Sequence, residues 1–194
     1  MADITGTFLL GPDSGRVLLQ TGRAGLAARA GHDLTIEITR WSARVTIPSD
    51  GVSAAEITAE LDLGSLAVRE GTGGAKPLTD KDRRDIAGTA RKILGQGPAS
   101  FTSTRVIPSG SSAQTVSSGA IEGTLTLNGR SAPVRLQVTS LGPGRYHGGA
   151  TIKQTGFGIT PYTGFFGALK LRDEIGVEVE ADFDRARERT ANST

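Results

Sequence analysis

The sequence predicts an all-β fold with one short helix, either a sandwich of two sheets or a single sheet closed into a barrel. Three observations carry this. Apolar residues alternate with polar ones over most of the 194 residues, the chain holds 27 glycines with only 5% aromatics, and one segment alone breaks the two-residue period. At 20.1 kDa the length suits one well-cored domain, taken as residues 1–184 with a flexible charged tail over 185–194.

The alternation is cleanest near the C-terminus. Ile175, Val177, Val179, Ala181 and Phe183 share one face, and Glu174, Glu178, Glu180, Asp182 and Asp184 the other. Val134, Leu136 and Val138 repeat the pattern, as do Ile121, Gly123, Leu125 and Leu127. Ile57, Ala59, Leu61 and Leu63 form a further face, and Ile36 and Ile38 another. Turn signals lie between these runs at Gly11-Pro12-Asp13, Pro48 to Gly51, Asn128-Gly129 and Gly142-Pro143-Gly144. Asn128-Gly129 is the sharpest, because a type I′ hairpin needs positive φ at both central positions.

Ile86, Ala90, Ile93 and Leu94 recur at helical spacing and predict a helix over about residues 80 to 94. Thr79 is its expected N-cap, with Asp82 three residues on, and Gly95 its stop. Arg69 to Lys76 and Pro108 to Gly119 read as loops. With a single helix to cover apolar surface, a flat sheet of so many strands would leave its greasy face wet. The inward positions are mostly small, and small linings fill a wide barrel poorly. A cavity is therefore expected.

Composition excludes several functions. The formal charge is only +2, so nucleic acid is not an expected partner. There is no Cys, which removes disulfides and zinc-thiolate sites, and two His cannot make a His-rich metal site. No run approaches the roughly 18 to 20 apolar residues of a membrane-spanning helix. The first residues carry no basic, apolar leader pattern, and the expected location is the cytoplasm. A Gly-x-Ser-x-Gly elbow is missing, and Gly71 to Lys76 lacks the ending of a phosphate-binding loop. A homodimer is compatible with the sequence, and no cofactor is called for.

Candidate site residues remain few. His32 opens a strand, where it either hydrogen-bonds a loop or meets a ligand at a cavity mouth. A small hydrolase or isomerase pairing His32 with Asp33 is the weakest reading, since no nucleophile and oxyanion hole accompany it. Phe157, Tyr162, Phe165 and Phe166 cluster in one Gly-rich stretch, either folding over a mouth or forming a satellite cluster. Trp41 reads as a core anchor more than as a ligand platform.

From about Thr7 to Phe183 the chain resembles the YceI-like, polyisoprenoid-binding family. The resemblance rests on GAIEGTLTLNGRSAPVRLQV from Gly119 to Val138, on Ala99 to Ser103, on Gly31-His32-Asp33-Leu34, and on Phe157-Gly158-Ile159 followed by Leu169 to Asp173. It implies an eight-stranded antiparallel, lipocalin-like barrel that holds an isoprenoid or similar amphiphile. Two stretches depart from the family pattern. Gly11-Pro12-Asp13-Ser14 stands where members often have Asp-Pro-x-His-Ser, and Gln154 to Gly158 where Arg-x-Asp-Phe-Gly is common. The reading that follows is non-catalytic binding or carriage of a long apolar molecule. Ile36, Ile38, Leu61, Phe101, Leu125, Leu127, Leu136 and Val138 are the expected lining, with His32, Phe157, Tyr162 and Phe165 near the mouth. The alternative is a structural or interaction module whose barrel is filled by its own side chains.

Overall fold

A computed structural model describes residues 5–95, 97–109 and 117–186, apart from the Phe165 side chain. In chain order the elements are β1 (Gly6–Leu10), β2 (Gly15–Gln20), β3 (Arg23–Ala24), β4 (His32–Ile38), β5 (Trp41–Ile47), β6 (Glu56–Asp62) and β7 (Leu66–Gly73). Helix α1 (Asp80–Leu94) follows, then β8 (Pro98–Ser109), β9 (Ser118–Leu127), β10 (Arg130–Gly142), β11 (Arg145–Lys153), β12 (Thr163–Gly164), β13 (Leu169–Leu171) and β14 (Glu174–Asp182). The main sheet is antiparallel and curled, in the order β1-β5-β6-β8-β9-β10-β11-β14-β2-β4-β7, and β12-β13-β3 form a small second sheet.

Among the described residues the main sheet has eleven strands where eight were expected. The difference lies at three corners where the chain bends without leaving the sheet. Strands β1 and β2 meet at a turn in which Ser14 N donates to the Gly11 carbonyl at 2.9 Å. Between β4 and β5, Thr39 Oγ1 donates to the Ser65 carbonyl at 2.8 Å and Arg40 N to Ser65 Oγ at 2.9 Å. Between β6 and β7, Asp62 Oδ1 accepts from Gly64 N at 2.7 Å. Beyond the corners the wings stay in ladder, β1 with β5 and β5 with β6 on one side, β2 with β4 and β4 with β7 on the other. Bends of this kind let one sheet fold over its own apolar face.

Local expectations hold at the helix and the hairpin. Thr79 Oγ1 accepts from Asp82 N at 3.2 Å while Thr79 N donates to Asp82 Oδ2 at 2.9 Å, a reciprocal cap, and Gly95 ends α1 at φ 79°. Asn128 and Gly129 have φ of 52° and 70°, joining Leu127 to its partner Arg130. Arg69 to Lys76 differs from the expected loop, because β7 runs on to Gly73 and pairs His32 with Gly73 and Asp33 with Thr72. Backbone ladder bonds are indifferent to the Gly-Thr-Gly side chains that suggested a loop. Of the other expected loop, Pro108, Ser109, Ser118 and Gly119 belong to β8 and β9, and 110–116 lie outside the described residues. Of the expected tail, 187–194 lie outside them too, while Ala186 is buried in the core cluster.

The packing is one-sided. Phe8, Val17, Ile36, Trp41, Val45 and Leu66, from β1, β2, β4, β5 and β7, are buried in one cluster, with α1 packed over β7 through Ile86, Ala87 and Ala90. Trp41 is buried in this cluster, as expected of a core anchor, and also borders the cavity described below. On the opposite wall Ala99 and Leu127 join that cluster, but the inward residues Phe101, Leu125, Leu136, Val177 and Val179 stay half-exposed.

Candidate functional site

That asymmetry leaves a hollow. Half-exposed inward side chains on β8 to β11 and β14 face a cavity of about 260 Å³, closed on the other side by Leu10, Trp41, Val45 and Ile47. Many of the lining residues are small, among them Ala43, Ala59, Gly148, Ala150 and Ala181. Short side chains cannot meet across a sheet curled this widely, and the space stays open. Among the described residues no charged side chain lines the chamber, so they offer it no carboxylate, imidazole or ammonium for general acid–base chemistry.

A second chamber of about 150 Å³ adjoins it. Ala90, Ile93 and Leu94 of α1 form part of its wall, and Thr21, Gln154 and Tyr162 add polar groups. Gln154 is buried, and its Nε2 donates to the Arg172 carbonyl at 2.9 Å, so its amide is satisfied within the protein. Val17, Leu61, Leu125, Ile152 and Val177 line both chambers and form the waist between them.

Tyr146 borders the larger chamber and also a polar surface cleft. Its ring stands edge-on to Phe183 at 5.5 Å, and Phe183 in turn to Phe8 at 5.0 Å. Burial, together with the nearby Asp184 charge, pushes the Tyr146 hydroxyl above its ordinary pKa, so it remains a neutral donor. In the cleft Arg16 Nη2 meets Glu180 Oε2 at 2.9 Å and Arg185 Nε meets Asp182 Oδ2 at 3.6 Å. Charges of both signs balance there.

The residues expected to line a cavity divide between the chambers. Phe101, Leu136 and Val138 face the larger one, Ile36, Ile38 and Leu127 the smaller, and Leu61 and Leu125 the waist. Tyr162 lines the smaller chamber and is 39% exposed. Phe157 is buried in the core cluster and lines neither, because the turn Gln154–Phe157 tucks its ring inward before Gly158 reverses the chain at φ 70°. The Phe165 side chain lies outside the described residues.

His32 lines neither chamber; its ring Nε2 is 2.8 Å from the Lys76 carbonyl and, as the protonated nitrogen, donates to it. Asp33 accepts from Arg23 N at 2.8 Å. As neighbours on one strand the two side chains take opposite faces, and each has its own partner. The wall residues of β5, from Trp41 through Ala43 and Val45 to Ile47, were not among the expected lining, although their two-residue spacing was there to find them. Among the described residues no group of three or more His, Asp or Glu could hold a metal ion, and no helix is long and apolar enough to cross a membrane.

Comparison with known proteins agrees with the architecture. The model of the YceI-like domain matches residues 19–183. BcnA from Burkholderia cenocepacia superposes with a TM-score of 0.58 at 17% identity, covering 86% of this chain and 94% of that one. A polyisoprenoid binding domain from Saccharophagus degradans, implicated in plant cell wall breakdown, gives 0.51 at 13% identity, covering 91% and 96%. The YCEI protein of Campylobacter jejuni gives 0.52 at 14% identity, covering 75% and 81%. At these identities the structural likeness speaks to the fold. No curated protein matches.

Proposed function

The chain belongs to the YceI-like domain family, and from that premise we propose that it binds or carries, without catalysis, a long apolar or amphiphilic molecule of the isoprenoid or lipid class. The observation that carries the reading is the half-exposed inward wall of Leu125, Leu136, Val177 and Val179 around an uncharged hollow. A barrel filled by its own side chains, the structural-module alternative, would bury those residues.

Size narrows the cargo. An apolar cavity of about 150 Å³ accepts benzene, or roughly 25 Å³ per heavy atom. The two chambers, about 260 and 150 Å³, then hold a chain of about 16 heavy atoms. Such a chain bends through the waist and keeps any polar head outside. At about 0.8 kcal/mol per buried CH₂ the gross gain is about 13 kcal/mol, before ordering and association costs that absorb much of it.

Organic extraction of the purified protein followed by mass spectrometry tests the proposal. The expected result is an amphiphile whose apolar part has about fifteen or sixteen carbons. An empty extract, together with no thermal shift on adding acyl or prenyl compounds to the stripped protein, would overturn it.

A further inference from the structure

Two large apolar side chains stand wholly in water at one end of the small sheet: Leu26 is 100% exposed and Phe166 112%. The turns that carry them are tied together. Ala27 N donates to the Ala168 carbonyl at 3.0 Å, which holds the Leu26 turn against the chain two residues beyond Phe166. Phe166 sits at φ 53°, in the left-handed region that an aromatic residue rarely adopts, within the turn Phe165–Gly167 that joins β12 to β13. Burial within the protein rewards neither side chain.

Cations surround this tip. Arg29, one turn beyond Leu26, and Lys170, two residues beyond Ala168, are exposed, and neither forms an ion pair among the described residues. Asp33, the carboxylate on the neighbouring strand β4, is paired with Arg23. The surface therefore joins a bulky apolar pair to uncompensated positive charge, the combination that an anionic lipid–water interface rewards. Immediately before β12 stands Tyr162, half in water and half in the wall of the smaller chamber.

We propose that this tip docks the protein on an anionic bilayer surface, Leu26 and Phe166 seated among the lipid headgroups and Arg29 and Lys170 against their phosphates. The inference goes beyond the cargo reading and rests on it only in setting the smaller chamber, at Tyr162, beside the membrane from which a lipid would enter.

Sedimentation of the full chain with vesicles tests it. Vesicles of phosphatidylcholine containing phosphatidylglycerol should carry the protein down, more weakly as salt rises, and vesicles of phosphatidylcholine alone should carry far less. Each surface cation contributes about fivefold, so Lys170→Ala should weaken binding by about that factor. Replacing both apolar residues, Leu26→Ser with Phe166→Asn, should cost tenfold or more, and Asn tolerates the left-handed backbone. Both changes lie at exposed positions and should leave the melting temperature and the extracted cargo unchanged, which separates this surface from the cavity. No sedimentation with anionic vesicles, equal sedimentation with neutral ones, or a double variant that binds like the parent protein would each overturn the proposal.

Discussion

Ala150→Leu is the sharpest probe of the hollow. Ala150 lies on β11 opposite Val177 of β14 and faces the larger chamber. Leucine adds three carbons, which full burial at about 0.8 kcal/mol each would turn into about 2.4 kcal/mol of added stability. The chamber is partly open to water, so about half of that is the realistic gain. In a domain of this size 1 kcal/mol moves the melting temperature by about 2 to 4 °C, giving a rise of about 2 to 5 °C. In a packed interior the same substitution would overfill the core and cost about 1 to 3 kcal/mol, lowering the melting temperature. The sign therefore decides between a hollow and a plugged barrel. The assay is calorimetry on protein stripped of cargo, because a bound ligand would stabilise the parent protein by mass action and mask the difference. A fall in melting temperature, with cargo capacity unchanged, would refute the reasoning.

Three further outcomes are expected. Thr79→Ala removes the side-chain half of the α1 cap and should cost about 1 kcal/mol, read as a lower melting temperature, with looser retention of cargo because α1 walls the smaller chamber. Gly15→Ala would drive a Cβ into the Glu180 carbonyl at the β1–β2 corner, and should destabilise by more than about 1 kcal/mol in a denaturant titration. The Asp62 carboxyl is held below its ordinary pKa, first by the Arg40 side chain and then by the Gly64 amide. A lowered folded-state pKa contributes stability that is present above the unfolded value of about 3.9 and is lost as pH falls through the folded value. Asp62→Asn should thus melt lower than the parent protein at neutral pH, and the gap should close below about pH 4.

Much of the architecture was legible along the chain. Ile175 to Phe183 alternates because one face of β14 looks inward. Thr79, Asp82 and Gly95 mark a helix because caps are local hydrogen-bond chemistry. Asn128-Gly129 marks a hairpin because few residue pairs accept two positive φ angles. The turn at Gly11-Pro12-Asp13 was legible because its bond is local, whereas the corner at Thr39–Arg40 was not, since Ser65 holds it from far along the chain. The buried ring of Phe157 was hidden for the same reason.

Residue order alone determined which side chains face inward, because a strand places every second residue on the same face whatever lies opposite. Only the folded chain decided how far apart those faces stand. The three corners set the curl of the sheet, the curl sets the distance between walls, and that distance against the reach of alanine, valine and leucine leaves Leu125 and Val177 facing open space. Ile36 and Ile38 fell into a separate chamber, and the turns carrying Leu26 and Phe166 were tied together outside it, through contacts that no periodicity encodes.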